Sequence, residues 1–238
     1  MKDTKKFLKE NFNATLIGID EPFMFNCTMC GKCCRNRDDI LLTPKDVFRM
    51  AKELNILIGE FIKQYCEVYI GSSSKIAVIR LQSVGIDRRC PLLKGNRCSV
   101  HDVKPGVCAM FPIGRCISLE DKSVYDAELT PDDIKYIFTN PNCGDKRKVH
   151  TVREWFKDFN MSAEDEFFIK WQQTVAILSQ FIHDNESKMP QEKIEAIQKF
   201  AFMVLYVAYD FDKDFLPQFE SNAEIVKNKI KSFRQGEE

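Results

Sequence analysis

The sequence predicts an α+β fold, in which a cysteine-rich N-terminal part with small strands and helices precedes a helical C-terminal part. The first supporting observation is that all ten cysteines lie at or before Cys143. The second is that the cysteine-free sequence from Thr151 onwards repeats apolar residues at the three- and four-residue spacing of amphipathic helices. The third is a pair of segments rich in β-branched residues on either side of a glycine–serine turn at 71–74.

Local signals place the elements of the N-terminal part. Thr43 is a predicted helix N-cap, since Pro44 suits the first helical position and Asp46 the first turn, and apolar residues follow at helical spacing to position 54. A second short helix is expected at 59–66, and a β-hairpin is expected from 68–70 and 75–81.

The rest of the N-terminal part gives weaker signals. Residues 1–25 carry a weak helical pattern, and residues 84–116 lack a clear period and are predicted to be irregular. The segment 117–138 is mixed, with expected strands and a capped turn at Thr130.

Three helices are expected in the C-terminal part. Residues 151–154 have the form of a capping box. A long helix then carries a stripe made of Phe167, Phe168, Trp171, Val175, Leu178 and Ile182. Pro190 separates it from a second helix around 194–205, and a third helix is expected at 223–233.

Composition excludes several classes of protein. The 238 residues are 44% hydrophobic and carry 35 basic and 35 acidic side chains, so the net charge is 35 − 35 = 0. Such a chain is not disordered, and it has no overall field that would attract nucleic acid or a membrane surface. Cysteine makes up about 4% of the chain, below the density of a small disulfide-stapled scaffold.

The sequence also predicts a cytoplasmic, reducing location. Charged residues interrupt the first ten positions, so no signal-peptide core is expected, and the longest apolar run, 200–209, is half the length that a membrane span needs. In a reducing compartment cysteines are metal ligands or redox groups more often than disulfides.

The densest cysteine group is Cys27, Cys30, Cys33 and Cys34. Spacings of two residues let thiolates converge on one metal centre, as in zinc knuckles and iron–sulfur loops, and Gly31 allows a tight turn. Adjacent side chains diverge in an extended backbone, so Cys33 and Cys34 either serve different metals or one of them supports the other from outside the ligand shell.

Four more cysteines complete the predicted ligand set. The eight candidates are Cys27, Cys30, Cys33, Cys34, Cys90, Cys98, Cys108 and Cys143. They suffice for two four-ligand sites or one polynuclear cluster, and His101 is either a zinc ligand or a turn histidine. Cys66 and Cys116 lie outside any tight spacing and are predicted core thiols. We therefore expect a metal-organised, cysteine-cluster metal-binding domain at 1–150, with 151–238 as a helical extension packed on it.

These motifs resemble the YkgJ-like cysteine cluster family over residues 25–155. The resemblance is carried by Cys-x-x-Cys-x-x-Cys-Cys at 27–34, Arg35, the Thr-capped helix, Cys-Pro-Leu-Leu at 90–93, and the segments 98–101, 104–112, 142–144 and 151–154. Lys104 stands where arginine is usual, and 142–144 lacks the family's proline. The resemblance implies a zinc- or iron-chelating domain, also found in flagellin lysine N-methylases.

The predicted function is therefore metal chelation by a cysteine cluster. Cys90-Pro91 and the ferredoxin-like spacings favour an iron–sulfur cluster over zinc as the cofactor. Its role would be redox or protein-modifying, in the manner of the lysine N-methylases, with a protein substrate or redox partner and no nucleic acid. The alternative is a zinc-binding structural or interaction module without catalysis. The sequence lacks Gly-x-Gly, the P-loop and Gly-x-Ser-x-Gly.

Overall fold

The computed structural model describes residues 12–37, 39–117, 124–125 and 128–235. Residues 1–11 of the weak helical pattern at 1–25 lie outside these residues, as does part of the mixed segment 117–138. In the rest of that pattern, residues 12–15 are helical, and two short strands follow at 16–17 and 23–26.

Helices occupy both halves of the chain and dominate the second. The α-helices are α1 (Pro44–Glu53), α2 (Ile58–Tyr65), α3 (Gly106–Met110), α4 (Val152–Lys157), α5 (Glu166–Asn185), α6 (Gln191–Phe202) and α7 (Phe215–Gln235). Short 3-10 helices cover Lys32–Cys34, His101–Val103 and Pro131–Asp133, and a π-helix, Met203–Val207, continues α6. None of the helices in the described part of the chain is long and apolar enough to cross a membrane.

The strands form small antiparallel sheets within residues 16–150. They are β1 (Leu16–Ile17), β2 (Phe23–Asn26), β3 (Leu41–Leu42), β4 (Cys66–Ile70), β5 (Ala77–Leu81), β6 (Leu93–Lys94), β7 (Arg97–Cys98), β8 (Ile113–Ile117), β9 (Ile134–Phe138) and β10 (Asp145–His150). Their orders are β1-β9-β8, β3-β5-β4, β10-β2 and β6-β7. Small sheets before a helical C-terminal part confirm the predicted α+β class.

Capping and turn signals predicted the local structure well. The Thr43 hydroxyl accepts a hydrogen bond from the Asp46 backbone N–H, and the Asp46 carboxylate accepts one from the Thr43 N–H, so α1 begins with a full capping box. Thr151 and Glu154 form the same device at α4. The predicted hairpin is β4–β5, with Val68 opposite Ile79.

The structure is more regular than the sequence predicts in two places. Residues 84–116 contain the β6–β7 hairpin, α3 and most of β8, none of which shows a clear apolar period because these elements are only two to five residues long. The last helix begins at Phe215 rather than near 223, because Pro217 falls in its first turn, where a missing N–H costs no helical hydrogen bond.

Two hydrophobic clusters make up the core. The first joins α1, α2 and the β3-β5-β4 sheet to α5, α6 and α7, with Phe61, Phe181 and Phe219 fully buried. The second joins β2, β8 and β9 to α4 and the start of α5, around Trp155 and Phe156. Both clusters include residues from either side of position 150, and the division of the chain at that position stays a prediction.

Candidate metal site

The β2–β10 pair brings the first and last candidate cysteines together. Asn26, the last residue of β2, lies opposite Asp145, the first residue of β10. Cys27 follows Asn26 directly, and Cys143 precedes Asp145 by two positions. Cysteines more than 100 positions apart in sequence are therefore adjacent at the same end of one strand pair.

A tight turn holds the vicinal cysteines. Gly31 adopts φ 70°, in the left-handed region, and caps the 3-10 helix Lys32–Cys34. The two sulfur atoms of Cys33 and Cys34 lie 3.9 Å apart. The expectation of diverging side chains was wrong, because it assumed an extended backbone where the chain is helical.

Backbone hydrogen bonds join the second cysteine group (Cys90, Cys98 and Cys108) to the first (Cys27, Cys30, Cys33 and Cys34). The Cys90 N–H donates to the Cys34 carbonyl at 2.8 Å, and Arg35 and Arg89 form an antiparallel bridge beside it. Three residues further on, the β6–β7 hairpin places Cys98 opposite Leu93. This hairpin brings Cys98 back towards Cys90.

Cys108 reaches the site on α3. The N–H of Gly106, the first residue of α3, donates to the Asp46 Oδ1 atom at 2.8 Å. The Cys108 N–H donates to the Pro105 carbonyl at 2.9 Å. The position of the Cys108 thiol therefore depends on α1 as well as on its own short helix.

All eight candidate cysteines line a single cavity of about 410 Å³. Cys66 and Cys116 are absent from its lining. Within the described ranges, however, no group of three or more Cys, His, Asp or Glu side chains is arranged closely enough to hold a metal ion. The structure thus gathers the thiols around one space without closing them into a coordination shell, and the ligand assignment stays a prediction.

The cavity lining is cationic. Arg37, Arg97 and Lys104 line it, and no aspartate or glutamate does. Of the four cations near the second cysteine group, Arg97 lines the cavity, while Arg88, Arg89 and Lys94 do not. Sequence reasoning missed the role of Arg37 and Lys104 as lining cations, because charge alone does not show which way a loop side chain points.

Hydrogen bonding lowers the pKa of one cavity thiol and raises that of another, whereas burial raises the pKa of several. The hydrogen bond between Cys33 and Cys34 lowers the pKa of Cys33 and raises that of Cys34. Burial raises the pKa of Cys90, Cys98 and Cys108, and for Cys108 the neighbouring Cys90 and Asp46 add to the rise. Thiols of this kind release their protons when a metal cation supplies the compensating charge.

The candidates differ in exposure. Cys27 and Cys30 are exposed, whereas Cys90, Cys98 and Cys108 pack against the first hydrophobic cluster. Met29, between the two exposed cysteines, is 58% exposed and also lines the cavity. The cavity therefore has a solvent-facing edge on the 27–30 loop and an inner wall at 90–108.

The three remaining residues that the sequence singled out occupy different environments. His101 lines the cavity, and the centres of the His101 and Phe159 rings lie 6.4 Å apart. Cys66, the predicted core thiol, is buried at 8% exposure in the first cluster, and burial raises its pKa to about 12. Cys116 on β8 is half-buried, so its core assignment holds only in part.

Thiols and cations wall the cavity, and thiolates are the ligands that soft metal ions prefer. The comparisons with known proteins agree. Residues 26–143 match the family CxxCxxCC, described as a putative zinc- or iron-chelating domain. The family description names zinc or iron and does not decide between them.

One curated relative is itself uncharacterized. It is the uncharacterized protein MJ0661 of Methanocaldococcus jannaschii, 27% identical over 104 residues, which are 44% of this chain and 50% of the archaeal protein. The matched stretch thus spans about half the length of that relative. No solved structure matches the chain.

Proposed function

We propose that the eight thiols around the cavity hold an iron–sulfur centre. The observation that carries the proposal is the number of thiols around one space. A tetrahedral zinc site uses four ligands, whereas this cavity offers eight thiols in about 410 Å³. That volume is within the range of sites for whole small molecules, roughly 300–1,000 Å³, and exceeds what a single ion requires.

The charge of the lining supports the same proposal. A metal centre with several thiolate ligands carries net negative charge, and burying it requires compensating positive charge. Arg37, Arg97 and Lys104 supply that charge without a carboxylate in the lining. When bound, an iron–sulfur centre supplies one-electron chemistry, with a potential set by charge, hydrogen bonds and exposure.

The exposed edge suits a redox or protein-modifying role. Cys27, Cys30 and Met29 are accessible there, so a protein substrate or redox partner would approach along the 27–30 loop. Lysine N-methylation, which the family resemblance suggests, belongs to the same proposal and requires a partner or methyl donor that binds near this edge.

One observation favours a second candidate function, a zinc-binding structural module. The cavity is lined by residues of both hydrophobic clusters, including Leu81 and Leu92 from the first and Phe25 and Trp155 from the second. Metal binding at that junction would add its free energy to folding.

Metal analysis of protein purified without oxygen separates the two functions. The proposal expects iron with a stoichiometric amount of acid-labile sulfide and broad visible absorption from thiolate-ligated iron. A colourless protein that contains zinc and no sulfide contradicts it and supports the structural module. Chelation then tests the role: a metal-free protein that keeps its fold but loses activity supports a redox or catalytic centre, and global unfolding supports a structural metal.

A further inference from the structure

Asp46 is a buried carboxylate with partners on two elements. It is 5% exposed, one of three polar residues that are buried in the described part of the chain. Its Oδ2 atom accepts hydrogen bonds from the Thr43 N–H at 2.9 Å and the Thr43 hydroxyl at 2.8 Å. Its Oδ1 atom accepts the Gly106 N–H at 2.8 Å.

Helix capping alone does not explain this burial. The chain repeats the Leu-Thr-Pro-x-Asp pattern at 129–133, where Asp133 accepts the Thr130 N–H at 2.9 Å in a second capping box. Asp133 is partly exposed there, so a capping box of this kind forms without burial of its carboxylate. Burying a carboxylate costs free energy unless it gains further partners, and for Asp46 that further partner is Gly106.

The bond to Gly106 lies two residues from Cys108. Gly106 begins α3, a helix of only five residues, and Cys108 is its third residue. So short a helix has little stability of its own, and its orientation depends on outside contacts. We infer that Asp46 is a positioning residue for the metal site: it ties α3 to the start of α1 and so holds the Cys108 thiol towards the cavity. The inference rests on the proposed metal-binding function.

The negative charge of Asp46 disfavours metal binding, whereas its hydrogen bond to Gly106 favours it. A carboxylate near Cys108 repels a thiolate there, so removing that charge by itself favours metal binding. A positioning role therefore predicts weaker metal binding when Asp46 is changed to asparagine, and a purely electrostatic role predicts tighter binding.

The test is Co²⁺ binding to the metal-free protein and to Asp46→Asn. The asparagine side chain has one acceptor oxygen, so it can serve Thr43 or Gly106 but not both. We expect Co²⁺ affinity to fall by about 10- to 100-fold, as for other groups that orient metal ligands. The thiolate-to-cobalt charge-transfer intensity per bound ion should fall to the level of Cys108→Ser.

Two variants control for loss of the cap. Thr43→Ala removes the hydroxyl of the same capping box and keeps the Gly106 bond, and Asp133→Asn repeats the substitution in the second box. Both should bind Co²⁺ with wild-type affinity and spectrum. An equal loss in all three variants, or affinity in Asp46→Asn at or above the wild-type value, overturns the inference.

A second measurement needs no variant and covers the case in which Asp46→Asn does not fold. If the Gly106 hydrogen bond holds a ligand in place, metal binding must stabilise that bond in return. Metal loading should then slow hydrogen exchange at the Gly106 amide, and unchanged exchange overturns the inference. If the wild-type protein binds no Co²⁺, the proposed function itself fails, which is a different result.

Discussion

Asn26 and Asp145 lie opposite each other in the β2–β10 pair, and the Asn26 side-chain amide donates to the Asp145 carboxylate at 3.2 Å. This pairing fixes two points of the chain. One is where it leaves β2 and continues to Cys27, and the other is where it enters β10 after Cys143. The alignment of the exposed edge of the site is therefore set by a contact across 119 positions of sequence.

The β2–β10 alignment makes Gly144 intolerant of a side chain. Gly144 adopts φ +72°, and an added Cβ would lie 2.6 Å from the Phe25 ring and 2.7 Å from the Asn26 carbonyl. Gly144→Ala should destabilise the protein by about 1–3 kcal/mol, through backbone strain and this clash. Urea denaturation of the metal-free protein measures the change.

Gly59→Ala is the matched control. Gly59 lies in α2, and an added Cβ would meet nothing within 4 Å. Alanine there should stabilise the helix by roughly 0.5–1 kcal/mol. Equal effects of the two substitutions would contradict the account of the β2–β10 edge.

The assignment of thiols to the site predicts a contrast between two cysteine variants. Cys30→Ser should lower the metal content, since Cys30 lines the cavity. Cys66→Ser should leave the metal content at the wild-type level, because Cys66 lies in the first hydrophobic cluster. Metal-to-protein ratios after purification under identical conditions measure both. The opposite pattern would overturn the sorting into ligands and core thiols.

Cys66 also predicts a pH dependence for the metal-free protein. Burial raises its pKa from 9.0 to about 12, so between these values the native state keeps a proton that the unfolded chain releases. The stabilisation is complete below pH 9 and is lost as pH rises towards 12, with a slope of at most about 1.4 kcal/mol per pH unit. Denaturation midpoints from pH 8 upwards should fall less steeply in Cys66→Ala, and parallel slopes would refute this origin.

Lys104 should tune the potential of the proposed centre. It lines the cavity and sits 3.9 Å from the centre of the Phe159 ring, so its charge is held in place. Positive charge stabilises the reduced, more negative centre, and Lys104→Gln should therefore lower the midpoint potential by roughly 20–60 mV, up to tenfold in the one-electron equilibrium. Lys94→Gln is the control, since Lys94 is exposed on β6 outside the lining. An equal shift in both variants would show that position does not matter.

Local signals in the sequence were sufficient to predict the elements that have their own capping residues or β-branched residues. Thr43 and Thr151 cap helices as their flanking residues predict, and the β4–β5 hairpin follows from its β-branched arms. The same reasoning separated Cys66 from the thiols that line the cavity.

Non-local pairing could not be predicted in this way. β10, Asp-Lys-Arg-Lys-Val-His, is polar except for Val149 and shows no alternation, so its strand conformation depends on β2. The role of Asp46 was hidden for a similar reason. Its spacing to Thr43 indicates a cap, but its bond to Gly106 exists only once α1 and α3 are packed together.

X-ray absorption at the metal edge of the anaerobically purified protein tests the central claim most directly, namely that the thiols around one cavity hold an iron–sulfur centre. The account predicts iron with a first shell of sulfur and a clear iron–iron scattering contribution. A single zinc ion without a neighbouring metal, or iron bound through nitrogen and oxygen, would contradict it.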